Sequence, residues 1–364
     1  EHMAFKGTKK RSAFDIAAEI ESVGGYLNAY TSRENTFYFA KVMQEDLGLA
    51  VNLISDIILN STMDERELAR EKAVILQEIA QTNDTPDDII FDYLQENAFP
   101  DQPMGQPILG TEDIVNQITS EILTRYMNNT YAPARIILSA AGNVDHSKFQ
   151  KEAVNCFGNM QKGSKFERIE PRYMGLNFEL EKNLEQVHLA IGFKGVSYHD
   201  NEFYPALALS TLLGGGMASR LFQEIREKRG LAYSIYSFVS AYSDTGLFGI
   251  YAASSQEHAN QLIPLITTEI KKITSTITST ELKRVQSQLR ANTLMSLESP
   301  SSLCEQMARQ LSLFNRYITP NELLEQILKI DTSSIKNIAE KIFSSNPTQI
   351  SIGPKSNIGD FNQI

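Results

Sequence analysis

One order of helix-like and strand-like patterns occurs twice along this chain, so its fold must accommodate two copies of one unit. In the first copy a helix is predicted over about residues 12–23. Ser12 and Asp15 make a capping-box-like start, Ile16, Ile20 and Val23 form an apolar stripe, and Gly24-Gly25 ends it. Two β-rich runs follow at 26–32 and 36–42. A helix carrying Leu47, Ala50, Ile54 and Ile57 on one face leads to a polar break at Asn60-Ser61-Thr62, then to a long helix over about 64–81. The second copy has helical patterns at 204–213 and 222–229, strand-like runs at 232–240 and 247–253, and a striped helix at about 257–273. A polar break at 274–279 then opens a helix from about Thr280. Setting Met63-Asp64-Glu65-Arg66-Glu67-Leu68 beside Ile277-Thr278-Ser279-Thr280-Glu281-Leu282 brings the two long helices into register.

Strands arriving in adjacent pairs predict antiparallel sheets and an α+β class. The 364 residues exceed what one hydrophobic core holds, and two domains are expected. The polar stretch 160–173 marks the boundary, giving a first domain at 1–165, a connecting segment at 166–185 and a second domain at 186–364.

An apolar fraction of 42% and a charged fraction of 21% are those of an ordinary globular chain. No window approaches the ~18 consecutive apolar residues of a membrane helix. The net charge of −10 argues against nucleic acid, which selects a basic footprint; it would favour cationic partners, although an acidic surface that simply keeps the chain in solution would look the same. Cys156 and Cys304 follow no metal or redox spacing, consistent with a reducing compartment. Gly214-Gly215-Gly216 lacks the Gly-Lys-Ser/Thr of a phosphate loop and reads as a flexible loop entering the next helix. Asn128-Asn129-Thr130 reads as a helix terminus rather than a glycan site. His146 reads as a turn or helix-start residue, His188 as a strand residue with a local partner, and His199 and His258 sit in polar surroundings.

Chemistry concentrates in the first copy. Glu71 and Glu78 lie seven residues apart, about two helical turns, and so share a face with Leu68 and Ile75. Carboxylates on such a stripe are costly unless a cation or hydrogen bonds compensate. The competing reading is a surface helix with Arg70 and Lys72 as ion-pair partners. In the second copy Glu71 aligns with Val285 and Glu78 with Asn292, so the shape is kept and the charge dropped.

Glu1-His2 matches the end of the H-x-x-E-H signature. Glu1-His2-Met3-Ala4-Phe5-Lys6-Gly7-Thr8, Gly24-Gly25-Tyr26-Leu27-Asn28-Ala29-Tyr30-Thr31, Pro107-Ile108-Leu109-Gly110-Thr111-Glu112 and Arg226-Glu227-Lys228-Arg229-Gly230-Leu231-Ala232-Tyr233 follow in order across both halves. The whole chain thus resembles the inverted-zincin, pitrilysin-type zinc metallopeptidases, and among them the processing-peptidase-like members and their bacterial relatives.

The resemblance implies two homologous domains facing each other around a chamber, with Zn²⁺ in the first only. His2 and Glu78 would be metal ligands, with Glu1 as general base on the attacking water and Glu71 an accessory acid. The signature's first histidine would fall three positions before Glu1, and the chain as given lacks it. The resemblance makes Asn28, Ala29 and Tyr30 an edge to which an extended peptide adds as a strand, although an ordinary sheet edge would look the same. It makes Arg226 and Tyr233 a pair reaching substrate across the chamber; Arg226 could equally belong to a solvated face with Glu224, Glu227, Lys228 and Arg229. The implied activity is endopeptidase cleavage of unfolded, preferentially basic peptides or presequences. A homodimer or a homologous partner subunit is expected, in the bacterial cytoplasm or the mitochondrial matrix. The alternatives are a catalytically silent subunit of the same family and a peptide-binding module.

Overall fold

A computed structural model describes residues 1–160 and 168–361. In chain order the helices and strands are α1 (Ala13–Ser22), β1 (Tyr26–Thr31), β2 (Thr36–Lys41), α2 (Leu47–Leu59), α3 (Glu65–Asp84), α4 (Pro86–Ala98), α5 (Glu112–Gln117), α6 (Ser120–Thr130) and α7 (His146–Phe157). They continue with β3 (Phe178–Glu181), β4 (Gln186–Lys194), α8 (Phe203–Gly214), β5 (Ala232–Ala241), β6 (Gly246–Ser255), α9 (Leu262–Ser275) and α10 (Ser279–Ser296). The last are α11 (Pro300–Phe314), α12 (Pro320–Leu328), α13 (Thr332–Phe343) and β7 (Thr348–Gly353). The α+β class and the antiparallel bias are as expected, and so is the doubled order. Much of the expected boundary at 160–173 lies outside the described residues.

The chain forms two compact units, Glu1–Gln81 with Ile108–Arg168 and Leu297–Tyr317, and Thr82–Pro107 with Ile169–Ser296 and Ile318–Ile364. The offset of 214 that relates Asp64 to Thr278 also relates Pro86 to Pro300, the first residues of α4 and α11. These equivalent helices belong to the opposite unit from the long helix that precedes each, so neither unit is one continuous stretch of chain.

The second unit is built on a five-stranded sheet in the order β3-β7-β4-β6-β5, antiparallel except for the β3–β7 pair. β4 is buried on both faces, which explains its nearly continuous apolar run from Val187 to Phe193. On one face Leu189, Ile191 and Phe193 pack with Leu209 and Leu213 of α8, Ile266 of α9 and Ile338 of α13. On the other, Ile90 and Leu94 of α4 meet Ala190, Tyr251 and Ile350. Gly192 permits that approach, since a Cβ there would lie 3.0 Å from Leu94 Cδ1. Gly214 is the last residue of α8 rather than part of a loop. An added Cβ would lie 2.3 Å from the backbone nitrogen of Ser237, so glycine is what lets α8 close on β5.

Two local readings are refined. Residues 222–227 form a π-helical turn, and the helix expected from about 257 begins with a 3₁₀ turn before α9 proper starts at Leu262.

In the first unit β1 and β2 form an antiparallel ribbon, and Tyr26, Asn28 and Tyr30 share one face with Phe37, Phe39 and Lys41. Leu27 and Tyr38 of the opposite face pack on Ala4, Ile16, Ile57 and Ile58. Met3 enters a separate cluster with Met63 and Leu68 at the start of α3. The turn carrying His2 is therefore pinned by two adjacent residues buried against different helices. The chain leaves it through Gly7, whose φ of +113° suits glycine.

Candidate metal centre

Glu1 caps a 3₁₀ turn spanning His2–Phe5. Bonds of the i→i+3 type close it, from Ala4 N–H to Glu1 C=O (2.9 Å) and from Lys6 N–H to Met3 C=O (3.2 Å). The Glu1 carboxylate accepts from the Thr31 hydroxyl at 2.5 Å, at the end of β1.

α3 starts where the Asp64 carboxylate accepts from the backbone N–H groups of Arg66 and Glu67. It buries Leu68, Glu71 and Ile79. The face-sharing expected of Glu71 and Glu78 is realised, and both reach His2. Nδ1 of His2 lies 3.1 Å from Glu71 Oε2, and Nε2 lies 3.5 Å from Glu78 Oε2. The surface-helix alternative fails for Glu71. Arg70 pairs with Glu67 and Lys72 donates to the backbone of Asn116, while Glu71 is buried and takes Lys6 Nζ at 2.7 Å on its second oxygen. Burial pushes the Glu71 carboxyl up, but hydrogen bonds from Lys6 and His2 outweigh it and hold the group below the usual carboxylate range.

These contacts bear on whether the residues suit a metal. A buried carboxylate at Nδ1 can only accept, so in the neutral ring Nδ1 carries the proton and Nε2 presents a lone pair. That lone pair faces a second acceptor, Glu78. Two donors each about 2.1 Å from a tetrahedral zinc would be separated by roughly 3.4 Å, close to the observed 3.5 Å. A carboxylate behind a ligating imidazole is the usual outer partner of a zinc-bound histidine. The donor set therefore fits a divalent metal. Among the described residues no three His, Cys, Asp or Glu side chains form a complete cage.

Asn28, Ala29 and Tyr30 lie in β1, which among the described residues pairs only with β2. Tyr30 stacks on Phe37 with ring centroids 4.7 Å apart. In the second unit the Arg226 guanidinium sits between the rings of Phe222 and Tyr233, 4.7 and 5.0 Å from their centroids. Glu224 pairs instead with Lys228 and Arg229, so Arg226 is an aromatic-stacked cation rather than part of that charged face. The remaining histidines stay apart from this chemistry. His188 Nδ1 meets the Tyr251 hydroxyl at 2.8 Å, His146 opens α7, and His258 meets the Ser255 hydroxyl. Asn128-Asn129-Thr130 ends α6, as expected. Sequence reasoning assigned no role to Lys6 or Thr31. Lys6 follows His2 by four positions, but nothing local shows which acid it meets.

Comparison with known proteins bears on the same residues. The family model described as insulinase (peptidase family M16) matches residues 1–112, and that described as the peptidase M16 inactive domain matches 117–289. The chain belongs to peptidase family M16. Its relatives include an uncharacterized zinc protease of Rickettsia felis, 42% identical over 97% of this chain and 86% of that protein. Another is the zinc protease YmxG of Bacillus subtilis, 35% identical over 98% and 88%. The mitochondrial-processing peptidase subunit beta of Mus musculus is 35% identical over 100% and 77%. The fold of a protease from Helicobacter pylori superposes with a TM-score of 0.90 at 23% identity, covering 97% of this chain and 88% of that one. In this M16 chain Glu71 and Glu78 fall within the stretch matched by the insulinase-type model. Their equivalents Val285 and Asn292 occupy the second half, and Val285 is buried in an apolar core. No helix among the described residues is long and apolar enough to cross a membrane.

Proposed function

We propose that this M16 chain is a zinc-dependent endopeptidase acting on unfolded peptides or presequences. The observation that carries the reading is the His2 ring, held at Nδ1 by Glu71 while Nε2 faces Glu78 at 3.5 Å. His2 and Glu78, with the signature's first histidine, would hold Zn²⁺. When bound, the metal supplies Lewis acidity to the scissile carbonyl and lowers the pKa of its water. Glu1 would serve as the general base, taking a proton from the attacking water and passing it to the leaving amine. Thr31 fixes the Glu1 carboxylate through its hydroxyl. Glu71 orients His2.

The edge of β1 at Asn28, Ala29 and Tyr30, which no other strand among the described residues pairs, supports binding of the substrate as an added strand, with main-chain hydrogen bonds giving affinity. Arg226, stacked on Tyr233, offers a cation for a substrate carbonyl or C-terminus. The net charge of −10 favours basic peptides, and association with a second copy or a homologous subunit belongs to the same reading.

The test uses a polypeptide carrying the complete five-residue signature, measured for zinc content and for cleavage of a basic, presequence-like peptide. Stoichiometric zinc and chelator-sensitive turnover are expected. Glu1→Gln should keep the metal and lose turnover, and Glu78→Gln should lose the metal. Absence of both zinc and chelator-sensitive cleavage would overturn the reading in favour of a silent subunit or peptide-binding module.

A further inference from the structure

Lys6 has no part in the roles above, yet it completes the environment of Glu71. The Glu71 carboxylate is committed at both oxygens, Oε2 to His2 Nδ1 at 3.1 Å and Oε1 to Lys6 Nζ at 2.7 Å. A buried carboxylate with only one such partner would be free to turn away from the imidazole or to take up a proton, and either change would release Nδ1.

Lys6 is not a freely swinging surface cation. Its backbone N–H donates to Met3 C=O, and the next residues form a tied loop. Thr8 N–H donates to Arg11 C=O, and the Thr8 hydroxyl accepts from the N–H groups of Lys10 and Arg11. That hydroxyl also donates to Asp56 at 2.7 Å, and Arg11 donates to the same carboxylate at 2.8 Å. Asp56 lies buried in α2, so the backbone at Lys6 is fixed to the helix under the ribbon.

We propose that Lys6 is a positioning residue of the metal centre. By holding the Glu71 carboxylate in place it keeps His2 in the ring orientation and tautomer that present Nε2, and so sets the affinity for Zn²⁺. The inference rests on the metal reading above. It makes a prediction of sign, because simple charge repulsion says the reverse. An ammonium near a dication opposes binding, so by Coulomb interaction alone its removal would tighten the site.

The experiment measures Zn²⁺ affinity by competition with a chromogenic chelator, on the polypeptide with the complete signature. Lys6→Met and Lys6→Arg are compared with the parent, each with Glu71 present and in a Glu71→Gln background. Lys6→Met should weaken zinc binding by about tenfold, the lower end for loss of an outer-shell partner. Lys6→Arg should restore it to within about threefold, because it keeps the charge and donors. In Glu71→Gln the Lys6→Met change should have no further effect, as it acts through that carboxylate. Unchanged or tighter binding in Lys6→Met, or an equal loss in the Glu71→Gln background, overturns the proposal and leaves the metal reading standing. A parent protein that binds no zinc overturns both. Metal-free thermal unfolding verifies folding; if Lys6→Met does not fold, Lys6→Gln is judged by the same criterion.

Discussion

Replacing Glu71 by valine should cost the metal-free protein almost nothing while crippling its metal affinity. The internal repeat suggests the substitution, since Val285 occupies the equivalent position in the second copy and is 1% exposed. Glu71 is 6% exposed, so its carboxylate has been stripped of water and is held by Lys6 and His2. Deleting it removes that desolvation cost. The side chains left behind are not stranded, because Lys6 is 31% and His2 30% exposed and both can return to water. Replacing a buried ion pair by an apolar side chain is often neutral or stabilising, whereas stranding a buried charge costs about 3–5 kcal/mol. With both neighbours able to rehydrate, the change in stability of the first unit should lie within about 1 kcal/mol of zero.

Zinc affinity should fall by about 10- to 100-fold, because Nδ1 loses its carboxylate and the ring loses its orientation. Chemical denaturation of the chelator-treated protein, followed by circular dichroism, reads the first quantity, and chelator competition reads the second. A loss of stability beyond about 3 kcal/mol would show that Glu71 is a structural ion pair that the fold needs. Unchanged zinc affinity would refute the role assigned to it.

Two further outcomes follow from the packing. Asp56→Asn should destabilise the first unit by about 2 kcal/mol, because the buried carboxylate accepts from Thr8, Arg11 and Asn60. Burial raises the Asp56 pKa, but these hydrogen bonds prevail and leave it below its usual 3.8. A depressed folded-state value contributes stability that is present above the unfolded value and lost as pH falls through the folded one. The gap between parent and Asp56→Asn should therefore be full at neutral pH and close below about pH 4 in denaturation curves. Gly214→Ala should destabilise the second unit by about 3 kcal/mol or more in denaturant titrations, since its Cβ would meet the backbone of β5 rather than a side chain that can turn aside.

What the sequence by itself determined is what short-range periodicity encodes. The two copies, the capping box at Ser12, the long helix and the shared face of Glu71 and Glu78 all depend on residues within about two turns of one another. The family signature was legible for a related reason, since its residues lie in short runs whose order needs no folding to read. The partners of those residues were not. His2 and Glu71 are 69 positions apart and Thr31 and Glu1 are 30 apart, so their meeting depends on the ribbon and α3 closing on the turn at His2–Phe5. Local reasoning offered Arg70 and Lys72 to Glu71 because they are its neighbours in sequence. On a helix, however, adjacent residues project about 100° apart, and the cation on the buried side came from Lys6 in another segment. The placement of α4 in the second unit and of α11 in the first was equally beyond periodicity. An apolar stripe states that a helix needs a partner surface, and only the tertiary fold, with Gly192 opening room for Leu94, decided which surface α4 would take.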